Sequence, residues 1–263
     1  MNTAVGISDR RRVISIDVNY LAGTDRDNIV NRLIGIPGAA YVCVANVHMC
    51  MEAFDDPGFR SIVNNADVVI PDGRPLVWAQ RLLGDRDAQQ LRGMDLMFML
   101  CEAAVRDKVP VGFYGASEAV LGRLVAGLKQ QFPSLNVVLQ IAPPFRSLTA
   151  GEDSQYVDQI NRSGVRFLFV GLGCPKQERW MAEHKESLNC VMLGVGAAFD
   201  FIAGNKRHAP RWMQVCGLEW LFRLMCEPRR LWRRYLIQNP RFIWYFVRQM
   251  ATVKREKRKE ESM

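Results

Sequence analysis

The chain has 263 residues, 49% of them hydrophobic, which suffices for one large domain or for a domain with an appendage. Its seven cysteines form no Cys-x-x-Cys pair, which argues against a disulfide scaffold, and no uncharged apolar run reaches the roughly 18 residues of a spanning helix. The opening MNTAVGISDRRR has no apolar core of a signal peptide, so we expect a cytoplasmic protein with reduced thiols.

Charge is distributed unevenly along the chain. Residues 207–263 carry 14 Lys and Arg against five Glu, a net charge of +9, whereas residues 1–206 carry 21 basic and 22 acidic groups, a net charge of −1. Four of the six tryptophans lie in the basic part. The sequence therefore predicts a near-neutral body, residues 1–205, and a basic aromatic appendage, residues 206–263.

The body alternates strand-like and helix-like runs, which is typical of an α/β, Rossmann-like fold with a mostly parallel sheet and covering helices. Strands are predicted at 11–18, 39–46, 66–71, 109–115, 136–142, 165–173 and 190–200. Helices are predicted at 24–35, 50–65, 74–84, 93–108, 117–133, 150–162 and 175–187.

The appendage reads as helical throughout. We expect its helices to end before Pro228 and Pro240, because the residue before a proline disfavours the α conformation. The helices could form a cap that buries its aromatic rings on the body. For residues 229–250 a membrane-surface interpretation fits better, since rings among arginines such as Arg241 and Arg248 suit an anionic headgroup zone.

Three predicted strands run directly into a polar turn and a helix. The first ends at Asn46, the second is followed by Asp72, and the third turns through Gly171 and Gly173. The carboxyl ends of parallel strands form one edge of a sheet, where ligands bind. Pro175 suits the first position of the next helix, whose free N–H groups would favour an anion such as a diphosphate.

The side chains at this edge each allow two interpretations. Asp72 can act as a general base or can hydrogen-bond its own turn. Asn46 can orient sugar hydroxyls or cap the helix that follows. Glu178, beside Gln177 in a first helical turn, is favourable there for any helix. Cys174 can be a nucleophile or a small turn residue, and the second interpretation is favoured because no histidine stands beside it in the sequence.

The sequence predicts no metal site. Its three histidines show no ligand spacing. The two Asp-x-Asp triplets, 25–27 and 85–87, do not follow hydrophobic strands, and each encloses an arginine that would repel a cation.

These junctions, together with RGMDL from Arg92, FYGAS from Phe113 and GVGAAFDFIAG from Gly194, resemble the WecG/TagA/CpsF family of bacterial glycosyltransferases. The resemblance covers residues 13–248, and the order and spacing of the segments make it specific. It implies transfer of a sugar from a UDP-sugar to a polyprenyl-diphosphate-linked saccharide, with inversion and without a metal or other cofactor. Independently of the resemblance, the net charge of +9 in the appendage predicts peripheral binding to the anionic inner face of the cytoplasmic membrane.

The resemblance also implies roles for particular residues. Asp72 corresponds to the family's catalytic carboxylate, and Val44 stands where the family usually has a threonine. Because valine cannot hydrogen-bond through its side chain, the donor sugar stays open: an N-acetylmannosamine type is expected, with glucose or a uronate as alternatives. Expected substrate contacts are Asn46, Gln177, Arg223, Arg230 and Arg233, and the expected diphosphate site comprises Gly115, Gly171, Gly173 and Pro175.

Two other classes of protein fit less well. A nicotinamide-dependent enzyme would need a third glycine in GLGCPK and an acidic residue about 20 positions later. A nucleic-acid-binding module would explain the basic appendage but not a near-neutral body with a carboxylate in its cleft. We therefore expect no nucleic acid partner.

Overall fold

The computed structural model describes residues 9–22 and 25–260. Within them the strands are β1 (Arg10–Val13), β2 (Ile16–Asn19), β3 (Ala40–Ala45), β4 (Val68–Pro71), β5 (Val111–Gly115), β6 (Val137–Ile141), β7 (Phe167–Gly171) and β8 (Val191–Gly194). Six of these form a parallel sheet in the order β4-β3-β8-β7-β5-β6, and β1 pairs with β2 in a separate antiparallel hairpin.

Helices cover both faces of the sheet. In the body they are α1 (Asp25–Gly35), α2 (Val47–Asp55), α3 (Pro57–Asn64), α4 (Arg74–Leu83), α5 (Gly93–Arg106), α6 (Glu118–Gln131), α7 (Ala150–Arg162), α8 (Lys176–Glu183) and α9 (Ala198–Ile202). In the appendage they are α10 (Arg211–Val215), α11 (Glu219–Cys226), α12 (Pro228–Trp232) and α13 (Gln238–Glu260), with a π-helical segment, Arg233–Ile237, between the last two.

The sheet is buried on both faces, as its continuous hydrophobic runs predict. Along β3, Val42 and Val44 pack into one apolar cluster and Tyr41 and Cys43 into the other, because successive side chains of a strand point to opposite faces. The predicted α/β, Rossmann-like class with a basic helical appendage is thereby confirmed.

The predicted strand at 11–18 is wrong as a single strand. It turns back at Ile14, whose φ is 56°, and the two halves pair in the register Arg10↔Asn19. The arginines explain this, because they cannot enter the dry interior of a parallel sheet. Arg10 instead donates to main-chain carbonyls of the body, including that of Asp67 at 3.0 Å.

Two helix boundaries next to prolines also differ from the prediction. The helix expected at 50–65 divides into α2 and α3 because Asp56 caps α3, accepting from the N–H of Phe59 at 3.0 Å, and Pro57 begins it. Pro240, in contrast, does not end a helix. It lies in the first turn of α13, where its missing N–H is tolerated, after a π-helical turn has shifted the hydrogen-bond pattern.

Helix α13 fastens the appendage onto the body. Phe242 and Phe246 are buried in the apolar cluster that contains α2. Arg241, expected among the lipid-facing arginines, makes a two-pronged ion pair with Asp55, at 2.6 and 2.9 Å. Gln249 bonds the main chain of the β1–β2 hairpin. No helix of the described ranges is long and apolar enough to cross a membrane.

Candidate active site

The carboxyl ends of β3, β4, β7 and β8 open into a cleft of about 550 Å³. The glycine turn after β7 forms one wall, and residues of the appendage close the opposite side. The sheet order explains the position of the cleft. Strands β3 and β8 are neighbours, but the helices that follow them, α2 and α9, pack on opposite faces of the sheet. The cleft contains Asn46, Asp72, Gly171, Gly173, Gln177, Arg223 and Arg230 of the predicted site.

Asp72 follows β4 directly and lies where the body meets the appendage. Its own N–H donates to the carbonyl of Ala45 at 2.9 Å, which pairs the ends of β4 and β3. Its Oδ1 accepts from the N–H of Gly93, the first residue of α5, at 3.1 Å. The carboxylate is therefore held by another element and not by its own Asp-Gly turn.

Burial raises the pKa of Asp72 to about 6. The N–H of Gly93 and the positive charges of Arg223 and Arg234 oppose the rise, whereas Glu219 adds to it. A carboxyl group with this pKa is mostly ionised at neutral pH and binds a proton more readily than an exposed aspartate. That combination suits a general base.

Two appendage arginines border this carboxylate. Arg223 stacks over the ring of Phe201, 5.5 Å from its centroid, and Arg234 lies deep in the wall next to Asn46. Each has a buried Nε–H without an acceptor among the described residues. Burial lowers the pKa of Arg234, but a guanidinium stays charged under all ordinary conditions. The cleft thus offers unused cationic donors, which a diphosphate would satisfy.

Asn46 serves as the cap of α2. Its Oδ1 accepts from the N–H of Met49 at 3.2 Å and from Arg234 Nη2 at 3.3 Å. The capping interpretation is therefore correct, yet the residue also lines the cleft. Its oxygen therefore joins the start of α2 to Arg234 of the appendage.

The glycine turn depends on close packing and unusual backbone angles. A Cβ on Gly115 would lie 2.7 Å from the carbonyl carbon of Gly171, so these glycines allow the ends of β5 and β7 to touch. Gly173 has a φ of +81°. Gly115 and Pro175 do not line the cleft, and helix α8 begins at Lys176, one residue after the predicted start.

Gln177 and Glu178 form a buried pair under that turn. Gln177 Oε1 accepts from the N–H of Gly173 at 3.1 Å, and its Nε2 donates to Glu178 Oε1 at 2.7 Å. Glu178 is 0% exposed, and its Oε2 has no partner among the described residues. Burial raises the pKa of Glu178 to about 7. Gln177 therefore fixes the turn. The full burial of Glu178 was not predicted from the sequence.

Of the two remaining arginines of the predicted site, Arg230 and Arg233, only Arg230 lines the cleft. Arg230 lines the cleft and forms an ion pair with Glu227. Arg233 is exposed, lies over the ring of Trp232 and does not line the cleft. Arg234, the next residue, lines it instead, because the helical path between α12 and α13 turns that side chain inward.

Arg92 links body and appendage. It donates to Asp95 at 2.9 Å, to Gln214 at 2.7 Å and to Glu219 at 3.3 Å, and it lines the cleft. Arg92 begins the RGMDL segment, but no role was predicted for this residue. Its position just before a helix, three residues ahead of an aspartate, could have indicated a fixed arginine.

The structure also locates the two Asp-x-Asp triplets. Asp85 is paired with Arg11 at 2.7 Å, and Asp87 accepts from the hydroxyl of Tyr20. The side chains of residues 25–27 lie outside the described residues. Within the described ranges no three His, Cys, Asp or Glu side chains group as metal ligands would.

Comparison with known proteins identifies the family to which this chain belongs. A family model described as "Glycosyl transferase WecG/TagA/CpsF family" matches residues 13–256. The chain belongs to this family. The WecG/TagA/CpsF proteins are glycosyltransferases, and the fold places the cleft of this member where ligands of open α/β sheets bind.

Three similar proteins carry the name N-acetylglucosaminyldiphosphoundecaprenol N-acetyl-beta-D-mannosaminyltransferase. The relative from Bacillus spizizenii strain W23 is 29% identical over 205 residues, 78% of this chain and 77% of its own length. Those from Bacillus subtilis strain 168 and Staphylococcus aureus strain NCTC 8325 are 28% and 26% identical, covering 75% and 82% of this chain and 75% and 83% of their own lengths.

This WecG/TagA/CpsF protein has a valine in the cleft wall at position 44. A Cβ on Gly93 would lie 3.4 Å from Val44 Cγ1, so the valine packs beside the residue that holds Asp72. The apolar wall at this point cannot hydrogen-bond a sugar hydroxyl.

Proposed function

We propose that this protein transfers a sugar of N-acetylmannosamine type from a UDP-sugar to a polyprenyl-diphosphate-linked saccharide, with inversion and without a metal. The names of its relatives support both the sugar and the lipid-linked acceptor. The observation that carries the proposal is the pairing of one buried carboxylate, Asp72, with arginines that have unused donors, Arg223 and Arg234.

In the proposed reaction Asp72 accepts the proton of an acceptor hydroxyl. The oxygen attacks the anomeric carbon of the donor sugar, and the bond from that carbon to the diphosphate oxygen breaks, so that UDP departs with the electron pair. A single displacement of this kind inverts the anomeric centre. Arg223, Arg230 and Arg234 balance the charge that develops on the departing diphosphate.

Water must be kept from the donor during this step. Arg92 contributes by holding Gln214 and Glu219 of the appendage against the rim of the cleft, at 2.7 and 3.3 Å. The appendage therefore serves as a wall of the reaction site.

The appendage also supports binding at the inner face of the cytoplasmic membrane. Large apolar side chains of α10 to α13 are exposed, namely Trp212, Met225, Trp232, Leu236, Ile237, Ile243, Trp244 and Val247. They alternate with arginines in a segment of strong positive charge. Rings and guanidinium groups in this arrangement suit an anionic lipid surface, where the lipid-linked acceptor resides.

UDP-glucose and a UDP-uronate are the alternative donors, because Val44 removes a hydroxyl from the cleft wall. The deciding experiment measures transfer from a panel of UDP-sugars to a short-chain lipid-diphosphate N-acetylglucosamine, with the product's anomeric configuration read by NMR. We expect UDP-N-acetylmannosamine to give the highest kcat/KM and a β-linked product. Transfer only to acceptors that lack a lipid diphosphate would contradict the proposal.

A further inference from the structure

A second, shallower groove of about 340 Å³ lies beside the cleft, between α4 and the start of the appendage. Its walls include Arg74, Trp78, Arg81, Gln90, Arg92 and Arg211. Positions 74, 78 and 81 are spaced so that their side chains lie on one face of α4. The Trp78 ring, 45% exposed, packs on Gly217, where a Cβ would lie 2.8 Å from it.

The groove has an excess of positive charge. Its acidic members, Asp95 and Glu219, are both bound to Arg92. Arg74, Arg81 and Arg211 form no ion pair with any carboxylate in the described ranges. Arg74 additionally has a buried Nε–H without an acceptor in that part of the chain. Arg81 donates its Nε–H to the carbonyl of Ala88 at 2.9 Å, which leaves its Nη groups. Three guanidinium groups without a carboxylate partner around one groove favour an anion with several oxygens, since each presents a planar fork of donors.

The groove adjoins the cleft but is not lined by the glycine turn. Gln90 Nε2 donates to the carbonyl of Asp72, and Arg74 stands two residues after it. Arg92, Gln214 and Glu219 line both the groove and the cleft, so they form the partition between them. A molecule in the groove would thus lie beside the main chain of Asp72, across this partition from Gly171 and Gly173.

We propose that this groove binds the diphosphate of the lipid-linked acceptor, with the Trp78 ring against the first part of the lipid. The inference rests on the proposed function, in which Asp72 contacts the acceptor hydroxyl. Donor and acceptor each carry a diphosphate, and two such anions repel each other at close range. Separate cationic sites on the two sides of the partition would hold both substrates while keeping their charges apart.

The test compares Arg211→Gln and Arg74→Gln with the control variant Arg86→Gln, which removes the same charge. Arg86 is exposed in the loop just past α4 and lines neither the cleft nor the groove. Two quantities are measured on the full chain: the KM for the acceptor and for UDP-sugar, and calorimetric binding of farnesyl-diphosphate-linked N-acetylglucosamine with the donor cleft saturated by UDP. Each groove variant should weaken acceptor binding and raise its KM by about 10- to 100-fold, as expected for a lost hydrogen bond to a charged group. UDP binding, the KM for UDP-sugar and all values for Arg86→Gln should change less than about twofold.

The readouts separate this inference from the proposed function. If the wild type transfers sugar but both groove variants keep the wild-type acceptor affinity, the groove assignment is wrong and the proposed function stands. If the wild type transfers nothing, the proposed function is wrong, and the calorimetric comparison still decides whether the groove takes a lipid diphosphate. Flotation with phosphatidylglycerol vesicles tests the other source of phosphate: variants that lose vesicle binding alone would show a headgroup site and overturn the inference.

Discussion

The N–H of Gly93 holds Oδ1 of Asp72 at 3.1 Å and so joins the end of β4 to the start of α5. Oδ2 has no hydrogen-bond partner in the described ranges, while the residue lines the cleft. One oxygen is therefore held by the main chain of α5, and the other faces no donor of the described residues. This arrangement supports the proposed role of Asp72 as the base.

The pH dependence of transfer should reflect this carboxyl group. With a pKa of about 6, raised by burial, Asp72 gains its proton as the pH falls through 6 and can no longer act as a base. We expect kcat/KM to fall tenfold per unit below that pH and to level off above about 7. Glu178→Gln should keep this acid limb. A limb that disappears in Glu178→Gln would assign it to the other buried carboxyl.

Glu178 should make stability depend on pH. Its pKa is raised from 4.5 to about 7 by burial, so the folded state holds the proton more tightly than the unfolded state. The contribution of this group to the free energy of unfolding is therefore greatest below about pH 4.5. It decreases by up to about 3 kcal/mol as the pH rises from there through 7.

The matched variant for this effect is Glu178→Gln, which imitates the protonated acid and keeps an oxygen for the bond from Gln177. Urea unfolding at pH 6.0 and 8.5 should show a smaller loss of unfolding free energy in the variant than in the wild type. Equal losses in the two proteins would mean that Glu178 does not carry the pH dependence.

Transfer should proceed without a divalent cation. Asp85 is engaged by Arg11, and arginines with unused donors line the cleft. We expect the same rate in excess EDTA as in Mg²⁺, and no change on Asp85→Asn. Loss of activity in EDTA that Mn²⁺ or Mg²⁺ restores would exclude the arginine-based account.

Substitutions of two appendage arginines should affect catalysis and membrane binding separately. Arg223→Gln should lower turnover about 10- to 100-fold even with a soluble acceptor analogue, because the departing diphosphate loses a charged donor. Arg248, exposed on α13, should instead contribute about 1 kcal/mol of vesicle binding. Arg248→Gln should therefore bind anionic vesicles several-fold more weakly and keep full turnover on the soluble analogue.

Point variants suit this question better than removal of residues 206–263, since Phe242 and Phe246 are part of the core. Truncation would expose that apolar surface. If Arg223→Gln retains wild-type turnover on the soluble analogue, the appendage acts as an anchor alone.

Much of the fold could be predicted because each strand–turn–helix unit is specified locally. Ser117 caps α6 as its position suggests, and α7 spans the predicted 150–162. The docking of the β1–β2 hairpin on α13 could not be predicted, since it joins segments more than 200 residues apart, as in the bond from Ile14 N–H to Gln249. The helix through Pro240 could not be predicted either, because it follows a π-helical turn that shifts the hydrogen-bond pattern.

Residues of the cleft that directly follow a strand were predicted from the sequence. Residues whose side-chain direction depends on how the helices pack were not. Asn46, Asp72 and Gln177 reach the cleft because parallel strands place their carboxyl ends together. Whether Arg233 or Arg234 points inward depends on the helical phase of the appendage, which its π-helical segment shifts. The burial of Glu178 likewise depends on how α8 packs against β3 and β8.

The most direct test of the account is the turnover of Asp72→Asn in transfer from UDP-N-acetylmannosamine to a short-chain lipid-diphosphate acceptor. The amide keeps the shape and can still accept from the N–H of Gly93, but it cannot take a proton at neutral pH. We predict that kcat falls about 10²- to 10⁴-fold while the Kd for UDP changes less than about twofold. Turnover near the wild-type value, with UDP binding intact, would contradict the assignment of Asp72 as the base.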